Sequence, residues 1–265
     1  MGRESAPESE LTDSYRASEY APMTVRDLIA DLPKLHLYRG ELVSHWKLAD
    51  EELLFIDRRV TEGMRTIETG AGVSTVLFAM KGTEHTCIVP DLEQVNRIRG
   101  YCQEHAISHA AIRFIVDTSE RALPRLEGDS FDLALIDGRH GFPAPFIDWF
   151  YLADLLKIGG TLIVDDLHIW TCELLTQFLV SEPDWALIHE TLGAAAFTKQ
   201  GNTAQHKNWI DQAFVRDRSR QLSLTAKARY LLNLLRRRNI SLFRSTVWLG
   251  IASGLAGRFG ERGRR

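Results

Sequence analysis

The chain of 265 residues is long enough for one large α/β domain with appendages, and its 45% hydrophobic and 25% charged side chains are typical of an ordinary soluble protein. Three cysteines without metal-type spacing argue against a disulfide framework, and the acidic first twenty residues lack the features of a secretory signal, so we expect a cytoplasmic protein. The formal net charge of -3 hides an asymmetry, because residues 1–215 carry 19 Lys+Arg against 33 Asp+Glu while residues 216–265 carry 13 against 2.

The segment before the first β-rich pattern divides into two parts. Residues 1–22 are polar and acidic, with little apolar surface to offset the entropy of ordering, and are predicted to form a flexible arm. Apolar residues then recur at helical spacing over residues 25–32 and again over residues 48–60. Residues 23–64 are therefore predicted to be a helical entry that covers one edge of the next domain.

Residues 65–200 alternate short β-rich runs with helical ones, the pattern of βαβ units around a parallel sheet. The predicted strands cover residues 66–68, 85–89, 112–116, 131–136, 161–164, 185–191 and 194–199. The predicted helices cover residues 74–80, 92–105, 119–126, 145–156 and 171–180. The predicted fold class is α/β, with a Rossmann-like, doubly wound, mostly parallel sheet of seven strands.

Residues 201–265 return to a helical pattern and are predicted to form a basic helical C-terminal extension. Leu224, Leu231 and Leu235 fall on one helix face, with arginines elsewhere. Because apolar residues interleave with arginines, we expect weak peripheral attachment to an anionic membrane or to a protein partner. The longest uncharged stretch is well short of the roughly 20 apolar residues that span a bilayer, and no recognised module favours nucleic acid.

A glycine-containing loop, Glu68-x-Gly70-x-Gly72, ends the first strand of the predicted sheet, where open parallel sheets bind nucleotides. Glycine permits unusual backbone angles and lets a ligand approach closely. Dinucleotide enzymes use a third glycine at this place, whereas Ser74 and Thr75 follow here. The Glu68 carboxylate suits the ammonium group of a methionine moiety, which favours a sulfonium cofactor over a dinucleotide.

Two further predicted strands end in acidic residues. The apolar strand at 131–136 stops at Asp137-Gly138, so Asp137 is expected to project into the crevice at the carboxyl edge of the sheet. The strand at 161–164 follows two glycines that are predicted to end the preceding helix, and it stops at Asp165-Asp166. These acids are expected at the same edge.

In their order and spacing, these segments resemble class I S-adenosylmethionine-dependent methyltransferases, in particular the O-methyltransferase-like group with I-D-G-x-H and V-D-D strand ends. The resemblance covers residues 65–199. It implies methyl transfer to a small-molecule acceptor, with a hydroxyl oxygen as the expected site. It also implies three groups of cofactor-binding residues. Glu68, Gly70, Gly72 and Ser74 are expected on the methionine and ribose side, and Asp117 with Thr118 or Ser119 is expected near the adenine. Asp137 is expected beside the donor methyl.

One position departs from this family pattern. Such methyltransferases usually place an acid at the end of the second strand to hold the ribose hydroxyls, but this chain has Val89-Pro90-Asp91. The acid is displaced by two residues. Asp91 is the expected replacement, because Pro90 redirects the chain, and Glu93 at the helix start is the alternative.

The donor methyl is activated by its positive sulfur, so the protein has to align the acceptor and help to remove its proton. His140 is the first candidate base because its ordinary pKa lies near neutrality and it follows Asp137 by one short turn. His168 is the second candidate. The alternative for a loop histidine is a surface or hydrogen-bonding role.

The same acids are candidate metal ligands. Asp137, Asp165 and Asp166 offer oxygen ligands to Mg²⁺, as in related metal-dependent O-methyltransferases. Adjacent strand residues point to opposite faces, so Asp165 and Asp166 need a bend between them to share one ion. Otherwise one of them caps the following helix and the other is solvated.

Two other functions remain open at the level of sequence. The glycines, with Asp91 about 20 residues downstream, also fit an NAD-type oxidoreductase. Val89 and the basic tail fit a methyltransferase-like scaffold that has lost turnover.

Overall fold

The computed structural model describes residues 23–126, 128, 130–201, 204–221, 224–236, 244–245 and 247–248. The predicted acidic arm at residues 1–22 and much of the basic tail lie outside these ranges. The first helices and strands are α1 (Val25–Ala30), β1 (His36–Tyr38), β2 (Glu41–Val43), α2 (Asp50–Arg59), β3 (Arg65–Thr69), α3 (Val73–Met80), β4 (Glu84–Ile88), α4 (Leu92–Glu104) and β5 (Ile112–Ile115). They are followed by α5 (Ser119–Ala122), β6 (Phe131–Ile136), α6 (Ala144–Leu155), β7 (Leu156–Val164), α7 (Trp170–Ser181), β8 (Trp185–Glu190), β9 (Ala195–Lys199), α8 (Ala213–Arg220) and α9 (Leu224–Arg236).

Strands β3 to β9 form one seven-stranded sheet in the order β5-β4-β3-β6-β7-β9-β8. Neighbouring strands pair in parallel from β5 to β7, and β9 pairs antiparallel with both β7 and β8. The Rossmann-like, mostly parallel fold is thus confirmed. The chain reverses its direction of winding between β3 and β6, so a ligand crevice is expected outside the carboxyl ends of these two strands.

Two layers of helices cover the sheet because its strands bury both faces. Side chains alternate along β6: Leu133 and Leu135 join the core under α2, α3 and α4, whereas Ala134 and Ile136 join the core under α6 and α7. The side chains of this one short strand thus contribute to both apolar clusters. Because both faces of β6 are covered, its sequence is almost continuously apolar, as in other fully covered parallel strands.

The entry segment contains a hairpin that the sequence pattern does not predict. Strands β1 and β2 pair antiparallel across a turn in which Arg39 and Gly40 have φ angles of 52° and 87°. Each strand has three residues, which is too short for a period-2 pattern to stand out. The prediction of a purely helical entry is therefore wrong between α1 and α2.

The glycine pair before the fifth predicted strand is also placed differently. Helix α6 already ends at Leu155, and Gly159 and Gly160 lie inside β7. Gly159 has a φ angle of 84°, and the register with β6 shifts between Phe131 and Leu133. The glycines thus permit an irregularity in the strand and do not end the helix. Among the described residues, no helix combines the length and apolarity needed to cross a bilayer.

The turn after β3 passes very close to the turn after β6. Gly70 has a φ angle of 95°, and a Cβ atom at this position would lie 2.0 Å from the carbonyl oxygen of Asp137. The backbone NH of Asp137 donates to the carbonyl of Thr69, with a nitrogen–oxygen distance of 3.0 Å. Only glycine fits between these two strand ends.

We expect Gly70→Ala to lower the free energy of unfolding by about 3 kcal/mol or more, because the methyl group overlaps backbone atoms that have no room to move. Gly63→Ala is the matched control: Gly63 has a φ angle of 77° but no heavy atom within 4 Å of the added Cβ. Its left-handed backbone alone costs about 1–2 kcal/mol. Urea unfolding measures both variants, and equal losses would contradict a special constraint at Gly70.

Candidate active site

Two cavities open at the carboxyl ends of the parallel strands, and Asp137 lines both of them. The first, here called the cofactor cavity, has a volume of about 260 Å³ and lies over β3, β4 and the segment after β5. The second, the acceptor cavity, has a volume of about 590 Å³ and lies over the ends of β6 and β7. A group held beside Asp137 is therefore accessible from both sides.

The structure places four of the predicted cofactor-binding residues on the cofactor cavity. These are Gly70, Thr118, Ser119 and Asp137. Gly70 and Asp137 form the floor at the switch between β3 and β6, and the other two come from the segment that leads into α5. Four strand ends that are far apart in the sequence thus converge here, as expected for an open α/β sheet.

Glu68 lies behind the glycine loop and does not reach the cavity. Its side chain is fully buried, and its carboxylate accepts hydrogen bonds from the Ser74 hydroxyl at 2.6 Å, from the Thr75 hydroxyl and from Nε2 of His85 at 3.1 Å. A buried carboxylate is stable only with such partners. The structure thus gives no support to the predicted contact of Glu68 with the cofactor ammonium. Glu68 instead fixes the shape of the loop by joining β3, α3 and β4.

Two of the other predicted loop residues also serve this framework. The Ser74 hydroxyl is used by Glu68, so it does not face the ligand. Gly72 lies outside the cavity lining, and an added Cβ there would come within 3.0 Å of Nε2 of His36. Gly72 thus leaves space for His36, which does line the cavity.

The structure turns two predicted acids away from the cofactor cavity. Asp91 caps α4 by accepting from the backbone NH of Glu93 at 2.9 Å, and its other oxygen lies 3.1 Å from Nη2 of Arg97. Asp117 accepts from the backbone NH of Thr118 at 2.9 Å and pairs with an arginine at 3.2 Å. Neither side chain lines the cavity, so their predicted direct contacts with the cofactor are not supported.

Four polar side chains that no sequence pattern marked also line the cofactor cavity, namely His36, Gln94, Glu120 and Arg139. The amide nitrogen of Gln94 donates to the carbonyl of Ala71 at 2.6 Å and lies 3.1 Å from Nδ1 of His36. Nε2 of His36 is buried and has no hydrogen-bond partner among the described residues. Because His36 belongs to the unpredicted hairpin, only its position in the fold reveals it.

His140 and Asp166 form a close pair in the acceptor cavity. Nδ1 of the imidazole lies 2.6 Å from Oδ2 of Asp166, and this hydrogen bond lowers the pKa of the Asp166 carboxyl. The ionised carboxylate accepts, so Nδ1 carries the proton and Nε2 is the free basic nitrogen. Nε2 is buried, lies 3.9 Å from Oδ1 of Asp137 and has no hydrogen-bond partner among the described residues.

The carboxyl groups next to this pair repel one another. Burial, with the negative charges of Asp165 and Glu68, raises the pKa of Asp137 well above its ordinary range. Burial also raises the pKa of Asp165 to about 6, and the charges of Asp166 and Glu52 act in the same direction. A positive charge placed at this wall between the two cavities would be stabilised by the ionised forms of these carboxyl groups.

The predicted metal ligands are only partly brought together. Asp166 has a φ angle of 59°, which supplies the bend that the sequence analysis required after Asp165. Ligand atoms of Asp137, His140 and Asp166 lie within 4.8 Å of one another, whereas Asp165 does not belong to this group. His140 thus takes the place that was predicted for Asp165, because Asp165 is turned toward the Asp137 carboxyl.

The aromatic wall of the acceptor cavity comes from an unexpected segment. Trp149 of the aromatic-rich helix α6 is buried and packs against Phe178 with 4.9 Å between the ring centroids, so it belongs to the core. The segment 45–47 that follows the hairpin lines the cavity instead, together with His168 and Ile169. The hairpin therefore contributes to the cofactor cavity, and the segment directly after it contributes to the acceptor cavity.

Comparison with known proteins identifies the sheet region. A family model described as a methyltransferase domain matches residues 67–167, which include β4, β5 and β6 and the acidic ends of β6 and β7. No curated protein matches the chain.

Solved structures with similar folds include cofactor-bound Rv0187 from MTB, with 17% identity, a TM-score of 0.51, and coverage of 63% of this chain and 85% of that chain. The O-methyltransferase TomG from Streptomyces achromogenes, in complex with SAM, has 15% identity, a TM-score of 0.50, and coverage of 60% and 84%. An rRNA methylase from Streptococcus thermophilus has 12% identity, a TM-score of 0.47, and coverage of 58% and 98%. At these identities the likeness concerns the fold alone.

The matched residues contain the glycine loop, the strand end at Asp137 and the strand end at Asp165-Asp166. All three lie at the carboxyl edge of the Rossmann-like sheet. This match favours S-adenosylmethionine over a dinucleotide, and it identifies residues 67–167 as a methyltransferase domain on a class I type of sheet.

Proposed function

We propose that this methyltransferase acts on a hydroxyl oxygen of a small molecule bound in the acceptor cavity. The observation that carries the proposal is the free Nε2 of His140, held by the contact between Nδ1 and Asp166 on the wall that separates the two cavities. A buried imidazole with one nitrogen fixed by a carboxylate and the other free is suited to accept a proton.

The cofactor cavity fits S-adenosylmethionine on three observations. Gly70 allows the floor to lie flat against the end of β6, His36 leaves a buried polar atom without a partner, and the acidic wall at Asp137 suits a positive sulfur. Gly70, Thr118, Ser119 and Asp137 would hold the cofactor. When bound, it supplies an activated methyl group on a sulfonium.

His140 would take the hydroxyl proton of the acceptor on Nε2 as the oxygen becomes nucleophilic. Asp166 keeps the imidazole oriented and stabilises the positive charge that forms on it, as the carboxylate does in other histidine–carboxylate pairs. Asp137 lines both cavities and lies 3.9 Å from Nε2 of His140, so it can orient the hydroxyl between them. The predicted base and the predicted acid thus act on the same proton.

The acceptor cavity favours a small molecule over a nucleic acid. Its volume of about 590 Å³ lies within the range of small-molecule sites. Asp137, Asp165 and Asp166 line it, and the negative charge of Asp166, whose pKa is lowered, opposes the phosphates of a nucleic acid. Trp46 adds an aromatic face against which a ring of the acceptor can pack.

A bound divalent cation is the second candidate for activation of the acceptor. It is motivated by the ligand atoms of Asp137, His140 and Asp166, which lie within 4.8 Å of one another. Mg²⁺ prefers oxygen ligands, whereas this group includes an imidazole whose Nδ1 is already paired with Asp166. The geometry therefore supports the metal-independent route better.

We further propose that the basic C-terminal extension attaches the protein to anionic membranes. Tyr230, Leu232 and Leu235 of α9 are about half exposed, and Arg229 and Arg236 are exposed beside them. Residues 216–265 carry 13 Lys+Arg against 2 Asp+Glu. Apolar side chains next to arginines suit the interface of an anionic bilayer.

We expect His140→Gln to lower kcat by about 10²–10⁴-fold while the Kd of S-adenosylhomocysteine stays the same, because only proton removal is lost. His168→Gln is the comparison variant, because it removes the second candidate base. The His168 side chain is mostly exposed, and its Nδ1 lies 3.5 Å from Asp166. Transfer of labelled methyl groups to a panel of hydroxylated acceptors gives kcat, and calorimetry gives Kd. A larger loss in His168→Gln would contradict the assignment, and absence of cofactor binding would contradict the function.

Removal of divalent cations distinguishes the two routes of acceptor activation. We expect turnover to persist after dialysis against EDTA and to change little on addition of Mg²⁺, because His140 and Asp166 already satisfy each other. Loss of turnover in EDTA with recovery in Mg²⁺ would favour the metal route.

For the extension, we expect the full chain to sediment with vesicles that contain phosphatidylserine and to stay in solution with phosphatidylcholine vesicles. Leu232→Ser with Leu235→Ser should weaken binding about tenfold or more, since each buried leucine contributes about 1–2 kcal/mol. Leu187→Ser with Leu192→Ser, at exposed positions in β8 and in the turn after it, is the matched control. Equal sedimentation of both double variants would contradict a role for α9.

A further inference from the structure

His36 and Gln94 meet on the glycine loop at one side of the cofactor cavity. The amide nitrogen of Gln94 bonds the carbonyl of Ala71 at 2.6 Å and approaches Nδ1 of His36 at 3.1 Å. Both side chains line the cavity. Since β1 is separated from α4 by more than fifty residues, the pair exists only because the hairpin folds over the loop.

Hydrogen-bond accounting fixes what this pair offers to a ligand. The carbonyl of Ala71 can only accept, so the amide group of Gln94 must point its nitrogen toward it and toward His36. Nδ1 of His36 is then an acceptor, and the ring proton lies on Nε2. The pair thus contains one N–H donor at Nε2 of His36, which lies against Gly72 of the loop, and one carbonyl acceptor at Oε1 of Gln94.

The donor is buried, unpartnered and uncharged. Nε2 of His36 has no hydrogen-bond partner among the described residues, and an unmatched buried donor costs about 1–3 kcal/mol. Burial lowers the pKa of His36, and the positive charges of Arg97 and His45 lower it further. The imidazole is therefore neutral near pH 7, and its N–H awaits a neutral acceptor atom.

We infer that His36 and Gln94 bind the ribose hydroxyls of the cofactor, in place of the acid that is absent at Val89. The inference rests on the assignment of S-adenosylmethionine to this cavity. A ribose hydroxyl both donates and accepts, so a neutral donor beside a neutral acceptor matches a vicinal diol. The ammonium and carboxylate of the methionine arm call for charged or multiple partners.

The position of the pair agrees with the order of groups in the cofactor. The reacting sulfur has to lie at Asp137, where the two cavities meet. The adenine then lies farther away, toward Thr118 and Ser119, and the ribose lies between them above Gly70 and Ala71. The pair is bound to this stretch of the loop through the carbonyl of Ala71.

The surrounding contacts explain why the pair can replace an acid on β4. Val89 lines the cavity with an apolar side chain, and Asp91 is held by the NH of Glu93 and by Arg97. Nε of Arg97 also donates to the carbonyl of Leu35 at 2.8 Å, directly before His36. Arg97 thus turns Asp91 away and fixes the hairpin at the same time.

The test compares binding of S-adenosylhomocysteine with binding of its 2′-deoxy and 3′-deoxy ribose analogues to the full chain by calorimetry. We expect at least one deoxy analogue to bind the unmodified protein about three- to tenfold more weakly per lost hydrogen bond. In His36→Phe and in Gln94→Met, the ratio of the Kd of the deoxy analogue to the Kd of S-adenosylhomocysteine should fall toward one. Asp91→Asn is the matched control and should keep it.

Each ratio is measured within one variant, so a general loosening of the fold does not imitate the expected result. Discrimination that persists in both variants, or that disappears in Asp91→Asn, would overturn the inference. Loss of discrimination against an inosine analogue in place of the deoxy analogues would assign the pair to the base and also overturn it. If the unmodified protein failed to bind S-adenosylhomocysteine at all, the cofactor assignment itself would fail.

Discussion

The close backbone approach between Gly70 and Asp137 is the constraint on which both cavities depend. The turn after β3 and the turn after β6 meet at a distance that a single Cβ atom would prevent. This contact forms the floor of the cofactor cavity and brings Asp137 to the wall that the acceptor cavity shares. A larger residue at Gly70 would separate the two strand ends, and the donor and acceptor sides of the site would no longer be adjacent.

The loop above this contact keeps its shape through a buried charge that is fully hydrogen-bonded. The Glu68 carboxylate accepts hydrogen bonds from two hydroxyl groups at the start of α3 and from the imidazole of His85 in β4. Such a network stabilises one loop conformation because loss of any partner would leave a buried carboxylate without compensation. The acid of the glycine motif thus acts on the ligand through the backbone that it positions.

The polar groups on the two sides of Asp137 differ in chemistry. At the cofactor cavity, His36 and Gln94 present uncharged polar atoms where a sugar is expected. At the wall toward the acceptor, burial and mutual repulsion raise the pKa of Asp137 and of Asp165, so a positive centre placed there is stabilised. The paired His140 and Asp166 add a proton acceptor within the same wall. A sulfonium donor and a hydroxyl acceptor fit this difference.

The α/β class, the seven strands and the sheet edge that carries the site could be predicted from the amino-acid pattern. Burial on both faces makes β6 continuously apolar, and glycines and acids follow the strand ends. The pattern also determined that Asp137, His140 and Asp166 share a region. Which of the marked side chains line the cavities depends on the folded chain: Glu68 and Asp91 belong to the motifs, yet local hydrogen bonds hold both away from the cofactor cavity. The hairpin that carries His36 is too short for periodicity to reveal, and its place over the glycine loop depends on contacts with α4 that are remote in sequence. Local patterns report which chemistry is available, whereas the direction of each side chain is set by the partners that the fold brings to it.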